Sequence, residues 1–231
     1  SEDAIALHQQ SLAIATAIGD RRGEANSYNN LGNAYHSLGQ YEDAIALHQQ
    51  SLAIATAIGD RQGEANSYIG LGNAYHSLGQ SEKAIAFYQQ CLEIATAIGD
   101  RQGEANSYNN LGNAYHSLGQ SEEAIDFHQQ CLAIATAIGD RRGQANSWFN
   151  MGLALSGVER NSDAMGAFRN SRELFQAMGL EEYVQRANNQ IDLLSQPPTL
   201  IQTSQSWLSR LWQWIKQLWR WLFSPLRRDD P

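Results

Sequence analysis

Positive charge is scarce over most of this chain. Residues 1–200 hold 11 lysines and arginines against 22 aspartates and glutamates, while residues 201–231 hold five cations beside Asp229 and Asp230. A surface so acidic repels a phosphate backbone, whose binding rests on clustered Lys and Arg, so nucleic acid is excluded as an expected partner. Cysteine is almost absent. Cys91 and Cys131 occupy one slot in successive copies of a repeated unit, and packed helix layers put such slots roughly 10 Å apart, too far for a disulfide. Both are expected to be small buried thiols, in keeping with a reducing, cytoplasmic compartment. Catalytic groupings are missing as well: no nucleophile, base and orienter can be assembled without the same set recurring in every copy, and no glycine-rich phosphate loop is present. His36, His76 and His116 recur on one face, but one unit apart they cannot share an ion, and no Cys or carboxylate stands beside them at ligand spacing. Neither enzyme activity nor a metal or other cofactor is expected.

What the chain does contain is repetition. Leu31-Gly32-Asn33-Ala34-Tyr35 returns forty residues later at 71–75 and again at 111–115. A period of this size with helical patterning means a stacked array, in which no unit buries its own apolar face and neighbours supply the core. Residues 61–100 and 101–140 differ at only six positions, and 1–20 differs from 41–60 only at Ser1 versus Tyr41. Since Ser1 falls inside the half-unit that matches Tyr41, the start of the array is expected to lie upstream.

Within a unit, Gly59-Asp60-Arg61 and Gly79-Gln80-Ser81 punctuate two apolar-periodic runs. Each run is a helix, with glycine in the left-handed position after its end and Asp60 or Ser81 capping the helix that follows. The first helix places Ala25, Tyr28, Leu31, Gly32, Tyr35 and Leu38 on one stripe. Mid-helix glycine costs about 1 kcal/mol against alanine, so Gly32, Gly72, Gly112 and Gly152 are expected to admit a close neighbour. The second helix carries a broad apolar arc of Ala44, Ile45, Leu47, Leu52, Ile54, Ala55 and Ile58.

The residues Tyr28, Leu31, Gly32, Tyr35 and Ala44, with Gly39 in the turn, resemble the tetratricopeptide repeat motif. The forty-residue length and the Gly-Asp-Arg run are similar to the lengthened subclass found in Partner-of-Inscuteable-type modulators and many bacterial repeat proteins. The resemblance covers residues 1 to about 195 and implies an all-α fold, a right-handed superhelix of helix-turn-helix units that binds proteins in a concave groove. His8, His48 and His128, with Tyr88, stand where the family has a bulky aromatic, and no G-protein-binding motif follows the array, so modulator function is not carried over. The expected organisation is an array over 1–180, a capping helix over 181–195, a linker over 196–205, an amphipathic helix over 206–224 and a charged terminus over 225–231.

Helical geometry groups Asn26, Asn29, Asn33 and His36 away from the core stripe. The same face continues as Asn66, Ile69, Asn73, His76; as Asn106, Asn109, Asn113, His116; and ends in Asn146, Phe149 and Leu153. Asparagine is a poor helix former, so a merely solvated face would favour Glu, Lys or Gln. Amides offer donor and acceptor together, and a ladder of them suits the backbone of an extended peptide, with an apolar anchor at the Phe149 end.

Five of six tryptophans lie between 207 and 221. Trp207, Leu208, Leu211, Trp212, Trp214, Ile215, Leu218, Trp219, Trp221, Leu222 and Phe223 fall on one helical arc, with Arg210, Lys216 and Arg220 on the other side. That is the pattern of a helix lying in a bilayer interface, and three cations make it a poor spanning segment. The sequence thus reads as a non-enzymatic peptide-binding scaffold, cytoplasmic and peripheral at a membrane. The alternative is a soluble, self-associating or autoinhibited module whose tail packs in its own or a neighbouring groove.

Overall fold

The computed structural model describes residues 2–196 and 214–216. The chain divides into two compact units, Ser1–Ile191 and Asp192–Pro231. Of the tail, only Trp214, Ile215 and Lys216 are described, as a helical turn. Trp207, Leu208, Leu211, Trp212, Leu218, Trp219, Arg220, Trp221, Leu222 and Phe223 lie outside the described residues, as does the linker from Pro197 to Gln205. Among the described residues, no helix is long and apolar enough to cross a membrane.

The array is all helical: α1 (Glu2–Ile18), α2 (Arg21–Ser37), α3 (Tyr41–Ile58), α4 (Arg61–Ser77), α5 (Ser81–Ile98), α6 (Arg101–Ser117), α7 (Ser121–Ala137), α8 (Arg141–Gly157), α9 (Asn161–Ala177) and α10 (Glu181–Ser195). Even-numbered helices through α8 begin on aspartate. Asp20, Asp60, Asp100 and Asp140 each accept a hydrogen bond from the amide of the glycine three residues on, satisfying one of the free donors of a first turn. Ser81 does not cap as expected. It is the first residue of α5 and is buried, and Gln80 precedes the helix without a side-chain cap. Gly59 closes α3 at φ 69°. The turn slot held by Gly39, Gly79 and Gly119 is taken in the fourth unit by Glu159, at φ 61°, a conformation that is costly for a residue with a Cβ.

Each helix pair closes on one contact. A Cβ added at Gly32 would stand 2.7 Å from the His48 ring; Gly72 faces Tyr88, Gly112 faces His128 and Gly152 faces Phe168 in the same way. The ring is buried in every case. Leu31, Leu71, Leu111 and Met151 are buried as well, as are Ala44, Ala84, Ala124 and Ala164, and Tyr88 packs with Ala84 and with Leu111 and Ala114 of the next unit. Leu38 departs from its expected core stripe and is 47% exposed, because α2 ends at Ser37 and leaves it on the turn. Ile58 is likewise 41% exposed in the last turn of α3.

A second buried slot joins one pair to the next. Ser67 Oγ donates to Ser51 Oγ at 2.8 Å, and Ser147 Oγ donates to Cys131 Sγ at 3.0 Å. Cys91 and Cys131 are free and buried, and burial pushes both thiols up. At the closing end, Ala187 replaces the serine of this slot, and the Ser171 hydroxyl has no partner.

The first helices of successive units, α2, α4, α6 and α8, contact one another in series, while the second helices make no comparable approach. The first helices therefore line the tighter inner side and the second helices splay apart. In the two middle units an aromatic ring occupies the resulting wedge: Phe87 stacks on Tyr68 and Tyr75, and Phe127 on Tyr108 and Tyr115, with centroids 5.0–6.2 Å apart.

Candidate functional site

The structure divides the asparagine face into two kinds of residue. Asn26, Asn33, Asn66 and Asn106 are exposed. Asn29, Asn73, Asn109, Asn113 and Asn146 are half-buried, as are Ile69, Phe149 and Leu153. Several of these have internal work. His48 Nδ1 bonds to Asn29 Oδ1 at 2.9 Å, Tyr88 Oη donates to Asn73 Oδ1 at 2.9 Å, and Asn150 Nδ2 donates to Asn109 Oδ1 at 3.0 Å. Ile69 packs against the cluster of Ala65, Cys91 and Ile94.

The histidines of this face stitch units together. His36 Nε2 bonds to Ser77 Oγ at 2.9 Å and His76 Nε2 to Ser117 Oγ at 3.0 Å, while His116, beside Gly157 in place of that serine, turns to Ser121 Oγ at 3.4 Å. Among the described residues no group of three or more His, Cys, Asp or Glu is placed to hold a metal ion.

Divergence between the near-identical copies follows these contacts. Gly70 lies against the ring of the preceding unit, where a Cβ would come within 2.3 Å of His48 Cε1. Asn110 fills that position in the next copy, where the preceding ring is Tyr88. The substitutions at 69, 70 and 88 relative to 109, 110 and 128 are therefore changes of packing partner as much as changes of surface.

Two clefts were not anticipated from the sequence. One, of about 560 Å³, lies among α7, α8 and α9 and is lined by Leu132, Trp148, Met151, Leu155 and Ala167, with Arg160 and Asp163 at its edge. The other, of about 420 Å³, occupies the equivalent place in the first unit, with Tyr28, Tyr35 and Leu47 in its wall. Both sit where Phe87 and Phe127 stack in the middle units. The signal was present as the series Leu47, Phe87, Phe127, Ala167 in one slot, but only the splay of the second helices gives it meaning. A third, small cleft closes the asparagine face, where Asn146, Phe149 and Asn150 meet Tyr183 and Arg186 of α10; the Arg186 guanidinium stands 5.4 Å from the Phe149 ring centre.

This architecture is a stack of helix pairs presenting one face of first helices and one of splayed second helices. The tetratricopeptide repeat profile matches residues 1–57, 25–97, 63–137 and 103–177, and the chain belongs to that family, whose arrays are protein-interaction scaffolds. No curated protein matches the chain. Among solved structures, the apo form of RapI is similar with a TM-score of 0.77 at 16% identity, over 90% of this chain and 76% of that one. A Rap protein complexed with Competence and Sporulation Factor has a TM-score of 0.72 at 16% identity, over 79% and 51%. A signal-transduction ATPase with a tetratricopeptide repeat sensor, from Pyrococcus horikoshii, has a TM-score of 0.69 at 20% identity; the match covers 75% of this chain but only 27% of that one. At these identities the likeness is one of fold.

Burial holds the His48 and His128 imidazoles far below their ordinary range, at about 4, with His36 and His116 lowering them further. Both rings are neutral in the fold, and the unfolded chain takes up a proton near pH 6.5. Their contribution is therefore full above pH 6.5 and is lost as the pH falls from 6.5 toward 4, by about 3 kcal/mol apiece. Phe168 already fills this slot against Gly152. The double variant His48→Phe, His128→Phe is expected to lose much less stability than the parent between pH 6.5 and 4, as read by urea unfolding across that range. Equal losses in the two proteins would contradict this assignment.

Proposed function

We propose that this chain is a non-enzymatic scaffold that holds an extended protein segment along the face of α2, α4, α6 and α8, and that its tryptophan-rich tail attaches it to a membrane surface. The observation that supports peptide capture is the recurrence of exposed amides at Asn26, Asn66 and Asn106, one unit apart, beside Asn33, Asn73 and Asn113. Each primary amide presents donor and acceptor to a backbone running across the helices. The face ends in the small Phe149–Arg186 cleft, walled by Asn146, Asn150 and Arg186 as well as by aromatic rings, which suits a side chain with both apolar and polar surface at one end of the ligand. A fold relative, the Rap protein, was solved with Competence and Sporulation Factor bound, and this is consistent with capture of a protein ligand here.

The tail supports the second half of the reading. Each large apolar side chain taken fully from water contributes roughly 1.5–3 kcal/mol, and each cation near anionic lipid about 1 kcal/mol. Trp214 is 57% exposed.

Two experiments test these halves separately. Extended peptides selected from a displayed random library on the full chain are expected to bind Asn66→Ala, Asn106→Ala roughly thirty-fold more weakly with unchanged helicity, since two amide contacts of about 1 kcal/mol each are removed. Unchanged affinity would remove this face as the binding site. In flotation with phosphatidylcholine vesicles containing phosphatidylglycerol, the full chain should rise with the lipid, and the variant with Trp212, Trp214, Trp219 and Trp221 replaced by serine should stay behind. Equal recovery of both in the soluble fraction would contradict the membrane tether.

A further inference from the structure

The fourth unit lacks the ring that fills the wedge between second helices in the two middle units. There Phe87 stacks on Tyr68 and Tyr75, and Phe127 on Tyr108 and Tyr115, with centroids 5.0–6.2 Å apart. In the fourth unit the same slots hold Ala167, Trp148 and Leu155, and a cleft of about 560 Å³ stands open among α7, α8 and α9. The replacements do not close it. Ala167 is 2% exposed, Met151 5% and Leu155 5%, so the floor is core, and core atoms that face a void forfeit the contacts a close-packed interior supplies. The middle units show what such a cleft accommodates: a flat aromatic ring held against rings of the first helix.

We propose that this cleft is a binding site for a small, uncharged, fused-ring aromatic molecule that carries a hydrogen-bonding group. Size, shape and lining favour that class together. The volume falls in the range of ligand pockets, roughly 300–1,000 Å³. Trp148 stands where the middle units have Tyr68 and Tyr108, and its indole offers a longer face for offset stacking than a phenol does. Leu155, in place of Tyr75 and Tyr115, takes a ring and its hydroxyl away from the other wall, which makes room for a second fused ring. Gln129, Ser162 and Asn170 also line the cleft, with groups that both donate and accept hydrogen bonds. Arg160 and Asp163 at the edge are paired with each other at 2.8 Å, so they present no net charge to a ligand. The first-unit cleft is the poorer site: it is smaller, at about 420 Å³, keeps Tyr28 and Tyr35, and is partly filled by Leu47. None of the residues lining the fourth-unit cleft belongs to the asparagine face, so the inference stands apart from both peptide capture and the membrane tether.

The test is an NMR titration of the full chain, isotope-labelled at its methionine methyl groups, with β-naphthol. The chain has three methionines. Met151 lines the cleft, while Met178 packs in the cluster beneath α10 and serves as the reference. A naphthol stacked on Trp148 is expected to shift the Met151 signal saturably through its ring current and to leave Met178 in place. Two plugs are compared with the parent. Ala167→Phe restores the ring of the middle units. Gly166→Leu fills the cleft from a position where a new Cβ meets nothing within 4 Å and where the other copies carry Ala46, Ala86 and Asp126, and it keeps the test valid should the first variant fail to fold. Both are expected to weaken binding at Met151 at least roughly ten-fold with helicity unchanged, and β-decalol, the saturated and no longer flat counterpart, is expected to bind the parent more weakly than β-naphthol. An unmoved Met151 signal in the parent, equal affinity in parent and plugged proteins, equal binding of β-decalol, or shifts of Met178 as large as those of Met151 would overturn the proposal. So would a Met151 signal that moves with protein concentration before any naphthol is added, which would make the occupant an aromatic side chain of a second copy.

Discussion

A ring seated on a glycine holds every helix pair of this protein together. His48 on Gly32, Tyr88 on Gly72, His128 on Gly112 and Phe168 on Gly152 bring two helices closer than any other residue at the glycine would permit. Glycine at mid-helix costs about 1 kcal/mol in propensity, and the packing of a buried ring outweighs it. Because the contact recurs every forty residues, it sets the spacing at which the first helices meet along the inner face. The second helices are then forced outward, and what fills the space between them becomes a separate question for each unit.

That question is answered differently along the chain. Phenylalanine fills the wedge in the two middle units, leucine partly fills it in the first, and alanine leaves it open in the fourth. Polar residues show the same local bargaining. His48 has Asn29 for a partner, Tyr88 has Asn73, and Asn109 reaches Asn150 in the next unit. A face that looks like one ladder of amides is therefore partly mortar between units and partly open surface. Its exposed members are Asn26, Asn33, Asn66 and Asn106.

The period, the helix pairs, the aspartate caps and the role of mid-helix glycine were all legible in the sequence, because each follows from spacing and backbone chemistry within one unit. Contacts between units were not. Ile69 reads as part of the asparagine face, yet it packs on the Cys91 cluster, and Gly70 beside it yields to the ring of the preceding unit. Ser81 reads as a cap but is the first buried residue of its helix. Glu159 occupies a left-handed turn position that composition alone assigns to a glycine. The Ala167 cleft is invisible until the stack shows that Phe87 and Phe127 fill the same place. Helical periodicity says which side of a helix is apolar; it does not say which of its neighbours will cover it.

The account rests on the ring–glycine contact, and Gly72→Ala tests it by sign. Ordinary helix propensity predicts that alanine in the middle of α4 stabilises the protein by about 1 kcal/mol. A Cβ at this position would stand 2.4 Å from Tyr88 Cε1, so the structure predicts the opposite: a loss of about 1–3 kcal/mol from overpacking, measured by urea unfolding. A stabilised Gly72→Ala protein would contradict the architecture from its central contact outward.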